Sequence, residues 1–378
     1  MKTEILLYGN TRTCADILYF CGVSVHDDFF CFSLDGKRCA LISPLELGRV
    51  RRKSCLDGIF DYSEIAASLP KNSEKSYFSA VCRILKSRRI LKSRRVRRLQ
   101  VPEYFPVSLY AKFVDAGFDM EIVEGEFFAE REVKTESELA EIRKANDVAS
   151  ACFCLVEEIL RSSEIRGGKL FRSGEILTSE FLRTEIEKLA VSLGADALDT
   201  VCAAGVQACD PHEVGSGAIA PHSLIVCDIF PRLRSSGYFG DMTRTFLKGE
   251  PNPKQVRLVE TVLNAQSLAI DAVREGVSGA EVHAKTAEYF ESEGYSTKPV
   301  KGKWTGFFHS TGHGLGLEVH ESPSLGRADC ILRRGNVVTV EPGLYYPNIG
   351  GCRIEDNVVV DKYGAKMLSN FHYNWVVA

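Results

Sequence analysis

The sequence lacks any apolar run of about eighteen residues, the length that a helix needs to cross a bilayer. Its N-terminal apolar run is also too short to be the hydrophobic region of a secretory signal peptide. The net charge is only −3 over 378 residues, so global electrostatics select neither nucleic acid nor an anionic surface as a partner. These features predict a cytoplasmic protein with no membrane or nucleic-acid partner.

Several common catalytic and metal-binding motifs are also missing. No C-x-x-C pair occurs among the thirteen cysteines, which argues against a zinc knuckle and a thioredoxin-type redox site. We expect these thiols to be reduced and mostly buried, as in a reducing compartment. The sequence contains neither the G-x-S-x-G elbow of serine hydrolases nor a P-loop, and it lacks the H-E-x-x-H helix of zinc proteases.

The first part of the chain alternates short apolar strands with helical stretches, which predicts an α/β domain. Within it, Phe29–Phe32 and Cys39–Ile42 flank Asp35-Gly36, a typical β-hairpin signal. Further along, Thr135 and Glu138 form a capping box at the start of a long amphipathic helix. A second domain should therefore begin between residues 125 and 134.

One stretch of the first domain, Arg83–Arg98, contains nine positive charges and the hexamer ILKSRR twice. Such a run can bind nucleic acid or an anionic membrane. The alternative is the solvated face of an amphipathic helix that leads into a strand at Val96–Val101. We favour this alternative because the run has no aromatic side chains on which bases could stack.

The second domain is predicted to contain a polar loop at Ser162–Gly174 and a helix at about Thr178–Leu193. Two further helices, at about Pro253–Glu275 and Gly279–Glu293, show regular apolar spacing. We expect both to cover the outside of a sheet, with no polar side chain directed towards a site.

Three of the eight histidines fall within the twelve residues from His309 to His320. Gly312, Gly314 and Gly316 would each cost roughly 1 kcal/mol inside a helix, so this segment should be extended or looped. Glycines there allow backbone or ligand to come close. A histidine cluster alone does not establish a site, but acidic residues elsewhere supply partners for it.

Two aspartates, Asp228 and Asp241, occupy the inner ends of a predicted β-hairpin. A buried aspartate is unfavourable unless it is paired or binds a metal, and two on one hairpin repel each other. A cation between them would relieve both penalties. Glu341 ends another buried strand, and Arg353 and Glu355 should share one face of a single strand, because strand side chains repeat every two residues.

Five residues in this order, Asp228, Asp241, His313, Glu341 and Glu355, resemble the metal-ligand pattern of the pita-bread metallopeptidases. That family includes methionine aminopeptidase, aminopeptidase P, prolidase and creatinase. The motifs that carry the resemblance are GDMTRT, HSTGHGLG, VEPG and RIED. The resemblance implies an α/β, creatinase-like N-terminal domain over residues 1–128, followed by an α+β pita-bread catalytic domain over residues 129–378.

The N-terminal region and the positions of His309 and His320 are similar to those of aminopeptidase P and prolidase. This branch hydrolyses the bond before proline in short peptides, as an aminopeptidase or as a dipeptidase, and homodimers are common in the family. One departure is that Asp228 and Asp241 lie thirteen positions apart, more than is usual in the family. The longer spacing enlarges the hairpin turn, which would alter the shape of the substrate pocket and leave the metal chemistry unchanged.

Four carboxylates around one imidazole exceed the charge of a single divalent ion, so two ions are expected. Oxygen-rich ligation favours Mn²⁺, with Co²⁺ or Zn²⁺ as alternatives. Two close ions would generate a bridging hydroxide near neutral pH, and it would attack the peptide carbonyl. Glu341 is the candidate proton shuttle. His320, together with His309, is the candidate donor to the carbonyl oxygen.

The resemblance also assigns residues to the substrate side. His212 resembles the family's substrate-side histidine, and Arg353 would orient ligands or substrate. His309, Val319 and Arg353 would line the proline pocket. Two other functions compete: a creatinase-like C–N hydrolase, which the intact ligand set disfavours, and a binding protein without hydrolytic activity that acts through Arg83–Arg98.

Overall fold

The computed structural model describes residues 3–87 and 98–378. The chain divides into two compact units, unit 1 up to Ala129 and unit 2 from Glu130 onward. Most of the basic stretch, residues 88–97, lies outside the described residues. On either side of it, a helix ends at Lys86 and a strand begins at Arg98.

The described part of unit 1 contains six strands and five helices. The strands are β1 (Glu4–Gly9), β2 (Phe29–Leu34), β3 (Lys37–Ile42), β4 (Gly58–Asp61), β5 (Arg98–Pro102) and β6 (Asp119–Val123). The helices are α1 (Ala15–Cys21), α2 (Pro44–Lys53), α3 (Tyr62–Ala67), α4 (Tyr77–Lys86) and α5 (Val107–Asp115). All six strands form one mixed sheet in the order β4-β3-β2-β1-β5-β6.

Both faces of this sheet are covered by apolar packing. Leu6 and Phe30 contribute to one hydrophobic core, whereas Leu7 and Cys31 contribute to another. Neighbouring residues enter different cores because side chains alternate between the faces of a strand. The structure confirms the predicted α/β domain, and also the β2–β3 hairpin, whose turn residues Asp35 and Gly36 have φ values of 53° and 79°.

Unit 2 combines four long helices with short strands. The helices are α6 (Glu136–Arg161), α7 (Ser179–Ser192), α8 (Pro253–Ala272) and α9 (Gly279–Ser292). The strands up to α8 are β7 (Glu164–Arg166), β8 (Lys169–Arg172), β9 (Glu175–Ile176), β10 (Ala195–Asp196), β11 (Val201–Ala204), β12 (Ile225–Ile229), β13 (Arg232–Leu233) and β14 (Met242–Lys248). The strands after α9 are β15 (Lys298–Val300), β16 (Lys303–Thr305), β17 (Gly312–Gly314), β18 (Glu321–Leu325), β19 (Val337–Val340), β20 (Gly343–Tyr346), β21 (Gly350–Arg353), β22 (Asp356–Val360), β23 (Ala365–Met367) and β24 (Val376–Val377).

Two sheets organise unit 2, with the orders β11-β12-β14-β24 and β18-β17-β19-β22-β23. Helices α6 and α7 pack on the first sheet, and Phe153 from α6 lies in the same core as Phe246 from β14. Helices α8 and α9 share a core with the second sheet. A bridge between Thr243 and Glu355 joins β14 to the connection between β21 and β22. The predicted α+β organisation is confirmed.

The start of α6 follows from its sequence. The Thr135 side chain accepts a hydrogen bond from the Glu138 backbone N–H, and the Glu138 side chain accepts one from the Thr135 N–H. These two bonds satisfy N–H groups that have no partner inside the helix. The predicted capping box is therefore confirmed.

The prediction of a polar loop at Ser162–Gly174 is wrong, because β7 and β8 form a hairpin there. Gly167 and Gly168 have φ values of 53° and 73°, which a tight two-residue turn requires. Leu170 on β8 is fully buried in the core beneath α6 and α7. The polar composition of the segment obscured this single anchoring side chain.

The prediction of one continuous strand from Arg353 onward is also wrong. The chain leaves β21 at Arg353 and enters β22 at Asp356, and these two strands pair with β20 and β19 in different sheets. Ile354 and Glu355 form the connection. An apolar pattern with period two does not reveal such a change of sheet.

Candidate metal centre

Five separate parts of unit 2 supply the five acidic and imidazole side chains in the predicted ligand pattern. Asp228 belongs to β12, Asp241 directly precedes β14, and His313 is the middle residue of β17. Glu341 directly follows β19, and Glu355 lies between β21 and β22. The register of β12 with β14 places Asp228 opposite Thr243, which bridges to Glu355.

Three of these side chains form a compact group. Asp241, His313 and Glu355 offer ligand atoms that all lie within 4.8 Å of one another. Glu341 borders the group, because its Oε1 atom is 3.5 Å from His313 Nε2. Asp228 interacts electrostatically with Asp241, Glu341 and Glu355.

The carboxylates oppose one another's ionisation. Burial, with a further contribution from Asp228, raises the pKa of Glu341 to about 7. Burial, followed by repulsion from the neighbouring carboxylates, also raises the pKa of Asp241 and Glu355. Ionising all of these carboxyl groups together is therefore unfavourable in the buried space, and a bound cation would offset that penalty.

Unpaired oxygens indicate where a cation could bind. Asp228 Oδ1 and Glu355 Oε1 are buried and have no hydrogen-bond partner among the described residues. Their companion oxygens are engaged, Asp228 Oδ2 by Arg353 Nη2 at 2.7 Å and Glu355 Oε2 by Thr243 Oγ1 at 2.7 Å. Leaving a buried acceptor unsatisfied is costly, and oxygen ligation by a hard divalent ion would satisfy both atoms.

The orientation of His313 is also suited to metal binding. Its Nδ1 lies 3.1 Å from the carbonyl oxygen of Gly314, which can only accept, so Nδ1 carries the proton. The Nε2 lone pair therefore points towards Asp241 and Glu341, at 3.7 and 3.5 Å from their oxygens. A hydrogen bond from the distal ring nitrogen to a carbonyl is common in metal-binding histidines. The residues present fit a divalent metal site.

Glycines allow the strand that carries His313 to approach its neighbours closely. A Cβ atom on Gly312 would lie 1.9 Å from the Thr339 carbonyl oxygen, and one on Gly314 would lie 2.3 Å from the Glu321 carbonyl oxygen. No real Cβ tolerates such distances, so a larger residue would displace β17. The expectation that these glycines permit close backbone approach is confirmed.

We expect the affinity for Mn²⁺ to fall as the pH decreases through the pKa of Glu341, which is about 7 in the metal-free protein. Below this pH the carboxyl group holds a proton that the ion must displace. For each proton displaced, the Mn²⁺ affinity should fall by up to about tenfold when the pH is lowered by one unit. Calorimetric Mn²⁺ titrations on either side of neutral pH measure the effect. An affinity independent of pH would show that the carboxylates are already ionised without metal.

A hydrogen-bonded chain connects His309 to the carboxylates. His309 Nδ1 donates to the Ser310 carbonyl oxygen at 2.8 Å, so Nε2 accepts from the Tyr345 hydroxyl at 2.9 Å. Arg353 Nη1 donates to the same hydroxyl at 2.9 Å, and Arg353 Nη2 donates to Asp228. Burial, followed by the charge of Arg353, lowers the pKa of His309 to about 3, so this histidine is neutral.

The other predicted site residues are His320, His212 and Val319. The rings of His320 and His313 are 4.3 Å apart and nearly perpendicular, and His320 is exposed. Burial of part of the ring, followed by His313, lowers the pKa of His320. His212 is exposed and interacts electrostatically with Glu341 and His320, whereas Val319 is half-buried beside His320 in the chain.

Several residues that support the site were not predicted. Tyr345, fully buried, links His309 to Arg353. Gln266 on α8 donates to Asp356 Oδ2 at 2.9 Å and to the Val340 carbonyl oxygen at 3.3 Å. The expectation that α8 directs no polar side chain inward is therefore wrong. Tyr345 and Gln266 both belong to apolar patterns in the sequence, which conceal a polar atom that acts in the interior.

No helix in the described ranges is both long and apolar enough to span a membrane. All thirteen cysteines, which fall within the described ranges, are free thiols. Seven of them are buried. The expectation that most of these thiols are buried is confirmed.

Comparison with known proteins places this geometry in a family. The model of metallopeptidase family M24 matches residues 140–362. The Xaa-Pro dipeptidase of Pyrococcus furiosus is 36% identical over 244 residues, which cover 63% of this chain and 63% of the relative. The chain thus spans less than two thirds of the length of that relative in the alignment.

Solved structures match over nearly the full length. Prolidase from Pyrococcus furiosus has a TM-score of 0.77 at 27% identity, covering 98% of this chain and 96% of the other. The X-Pro aminopeptidase from Thermotoga maritima has a TM-score of 0.80 at 23% identity, covering 99% of this chain and 97% of the other, and shows similarity of fold. The predicted combination of an α/β domain with a pita-bread domain is confirmed.

Proposed function

Because the chain belongs to metallopeptidase family M24, we propose that it is a metal-dependent exopeptidase that hydrolyses the peptide bond before proline. The observation that carries the proposal is the group formed by Asp241, His313 and Glu355, whose ligand atoms lie within 4.8 Å of one another. The similarity to an Xaa-Pro dipeptidase and to a prolidase supports the choice of substrate class.

Two divalent ions, most suitably Mn²⁺, would be held by the carboxylates of the site together with His313. The set of ligands is Asp228, Asp241, His313, Glu341 and Glu355. Co²⁺ or Zn²⁺ could replace Mn²⁺, since oxygen-rich sites with one imidazole bind several divalent ions. When bound, such a pair would supply Lewis acidity and a hydroxide nucleophile near neutral pH.

Glu341 is the residue best suited to move a proton. Its carboxylate borders the proposed metal group, with Oε1 3.5 Å from His313 Nε2, so it lies where the nucleophile would be generated. It would accept the proton from the attacking nucleophile and deliver it to the prolyl nitrogen. That nitrogen has no hydrogen in the peptide, so it needs a proton to leave as an amine.

His320 would stabilise the charge that develops on the carbonyl oxygen. It is exposed, its ring stands against that of His313, and its pKa is lowered so that the ring is neutral. A neutral imidazole can still donate one N–H to the oxygen. His309 has both ring nitrogens engaged by Ser310 and Tyr345, so we assign it to holding the pocket in place.

The substrate side would be formed by His212, Val319 and Arg353. Arg353 is almost fully buried, and it is fixed by Asp228 and Tyr345. A bond that precedes proline is a tertiary amide with a rigid ring, which peptidases that bind extended strands accommodate poorly. A fixed pocket of the size of the ring would select it.

The assay that tests the proposal measures how fast the Mn²⁺-loaded protein hydrolyses each of three peptides. We expect cleavage of Ala-Pro or of Ala-Pro-Ala, because the pocket is proposed to select proline at the second position. The relative rates of these two peptides decide between a dipeptidase and an aminopeptidase. Release of amino acid is measured by chromatography.

Met-Ala-Ser provides the matched peptide control and should be cleaved little. Faster release of methionine than of alanine would assign the chain to the methionine aminopeptidase branch. Lack of hydrolysis of all three peptides would favour a binding protein. The predicted homodimer and cytoplasmic location belong to the same proposal and are tested by light scattering and by fractionation of cells.

A further inference from the structure

A buried ion cluster lies directly beside His320 in the chain. It consists of Arg131, Lys134 and Glu321, and we call it the Glu321 cluster. The side chains of these residues are 7%, 1% and 4% exposed, respectively. Charges so thoroughly removed from water must be compensated by close partners.

Both oxygens of Glu321 are engaged by cations. Lys134 Nζ lies 2.5 Å from Oε1, and Arg131 Nη2 lies 2.7 Å from Oε2. Arg131 Nη2 also contacts Glu318 Oε2 at 2.8 Å, but the Glu318 side chain is 53% exposed. The pairs with Glu321 are therefore the buried part of the network, and Glu318 lies at its edge.

The segment that supplies the cations is fixed to the sheet that carries His313. The Lys134 N–H donates to the Gly335 carbonyl oxygen at 2.9 Å, and Asn336 Nδ2 donates to the Glu132 carbonyl oxygen at 2.9 Å. Asn336 directly precedes β19, which pairs with β17. The cations therefore hold Glu321 relative to the strands that carry the metal site.

The carboxylate of Glu321 also supports the turn that contains His320. A Cβ atom on Gly316 would lie 2.3 Å from Glu321 Oε1, so the carboxylate packs directly on the Gly316 backbone. The Glu318 N–H points at Oε2 from 3.4 Å, and the Gly316 N–H donates to the Glu318 carbonyl oxygen at 3.1 Å. Residues 316–321 thus form a turn closed around one carboxylate, and His320 is an exposed residue of this turn.

We propose that the Glu321 cluster positions His320 for the reaction, with Arg131, Lys134 and Glu321 as positioning residues. The inference rests on the proposed function for the role of His320. Apolar residues of similar volume would stabilise a core as well as a buried ion cluster does. The cluster adds directional contacts that fix one turn, and a donor to a developing charge must be held in this way.

The test uses Glu321→Gln in the full-length, Mn²⁺-loaded protein. The change keeps the shape of the side chain but removes the charge that both cations hold. We expect kcat for the better Xaa-Pro substrate to fall by about 10- to 100-fold, as when an outer-shell partner is lost, with KM and metal content nearly unchanged. Glu318→Gln is the matched control, and it should leave kcat nearly unchanged because Glu318 is exposed.

A double-mutant cycle separates positioning from general damage. If Glu321 acts through His320, Glu321→Gln should cost almost nothing in a His320→Ala background. The same loss of kcat in both backgrounds would overturn the proposal, as would loss of metal from Glu321→Gln. Lys134→Met removes only one of the two cations and gives a second variant should Glu321→Gln fail to fold.

Hydrogen exchange gives a readout that needs no substrate. Amides 316–321 should exchange faster in Glu321→Gln and Lys134→Met than in the wild type and in Glu318→Gln, because the turn has lost its closing partner. Unchanged exchange would overturn the positioning role. If the wild type fails to cleave Xaa-Pro peptides, the proposed function fails, and the exchange data still decide whether the cluster holds the turn.

Discussion

Replacing Asp241 with alanine should remove divalent ions from the protein and abolish peptide hydrolysis. Asp241 is almost fully buried, and its carboxylate shares the compact group with His313 and Glu355. Loss of this ligand removes one side of the site, so the other carboxylates repel each other without a compensating ion. We expect activity to fall by more than the roughly 10²–10³-fold that a single lost hydrogen-bond donor costs.

Metal analysis of the purified chain measures this effect directly. The wild type should hold two ions per chain, and Asp241→Ala fewer. His313→Ala should behave in the same way, because its Nε2 faces the same group. Asp271→Ala removes an exposed carboxylate from α8 and serves as the control. Two ions retained in Asp241→Ala would remove Asp241 from the ligand set.

Replacing His320 with alanine should also lower catalysis, but unlike Asp241→Ala it should leave both metals bound. His320 lies outside the group of Asp241, His313 and Glu355, and its ring stands against that of His313. Its proposed partner, the charged carbonyl oxygen, exists in the transition state, so substrate affinity should change little. We expect kcat to fall by about 10²–10³-fold, the usual cost of losing one such donor.

Steady-state kinetics combined with metal analysis test this prediction. His26→Ala, which removes an exposed histidine from unit 1, is the matched control and should retain full activity. Metal loss in His320→Ala equal to that in His313→Ala would make His320 a ligand or a structural residue. A normal kcat would exclude it from the mechanism.

Local features of this protein were determined by the sequence alone. The Asp35-Gly36 turn, the Thr135 cap and the helices α7 and α9 follow from residues within a few positions of one another. Turn geometry and helix capping depend on nearby backbone groups, so a short sequence window contains the necessary information. The residue types at Asp228, Asp241 and Glu355 indicated metal chemistry because acidic residues in apolar strands need a partner.

The arrangement of the site required the tertiary structure. The bridge from Thr243 to Glu355 brings the β12–β14 hairpin next to the connection that carries Glu355, although these residues are more than a hundred positions apart. The same holds for the Tyr345 hydroxyl between His309 and Arg353, and for Gln266, whose amide reaches Asp356 from α8. In the sequence, Tyr345 and Gln266 each belong to an apolar pattern, which does not reveal the distant polar groups that they contact.

The Glu321 cluster shows the physical reason most directly. In the sequence Arg131 and Lys134 are two cations shortly before a helix, and Glu321 is an acidic residue far along the chain. They form one ion cluster because folding removes them from water together, and their opposite charges then stabilise each other. Periodicity and composition determine which helices and strands form. The packing of those elements then decides which distant polar groups are buried together, and so which side chains form the site.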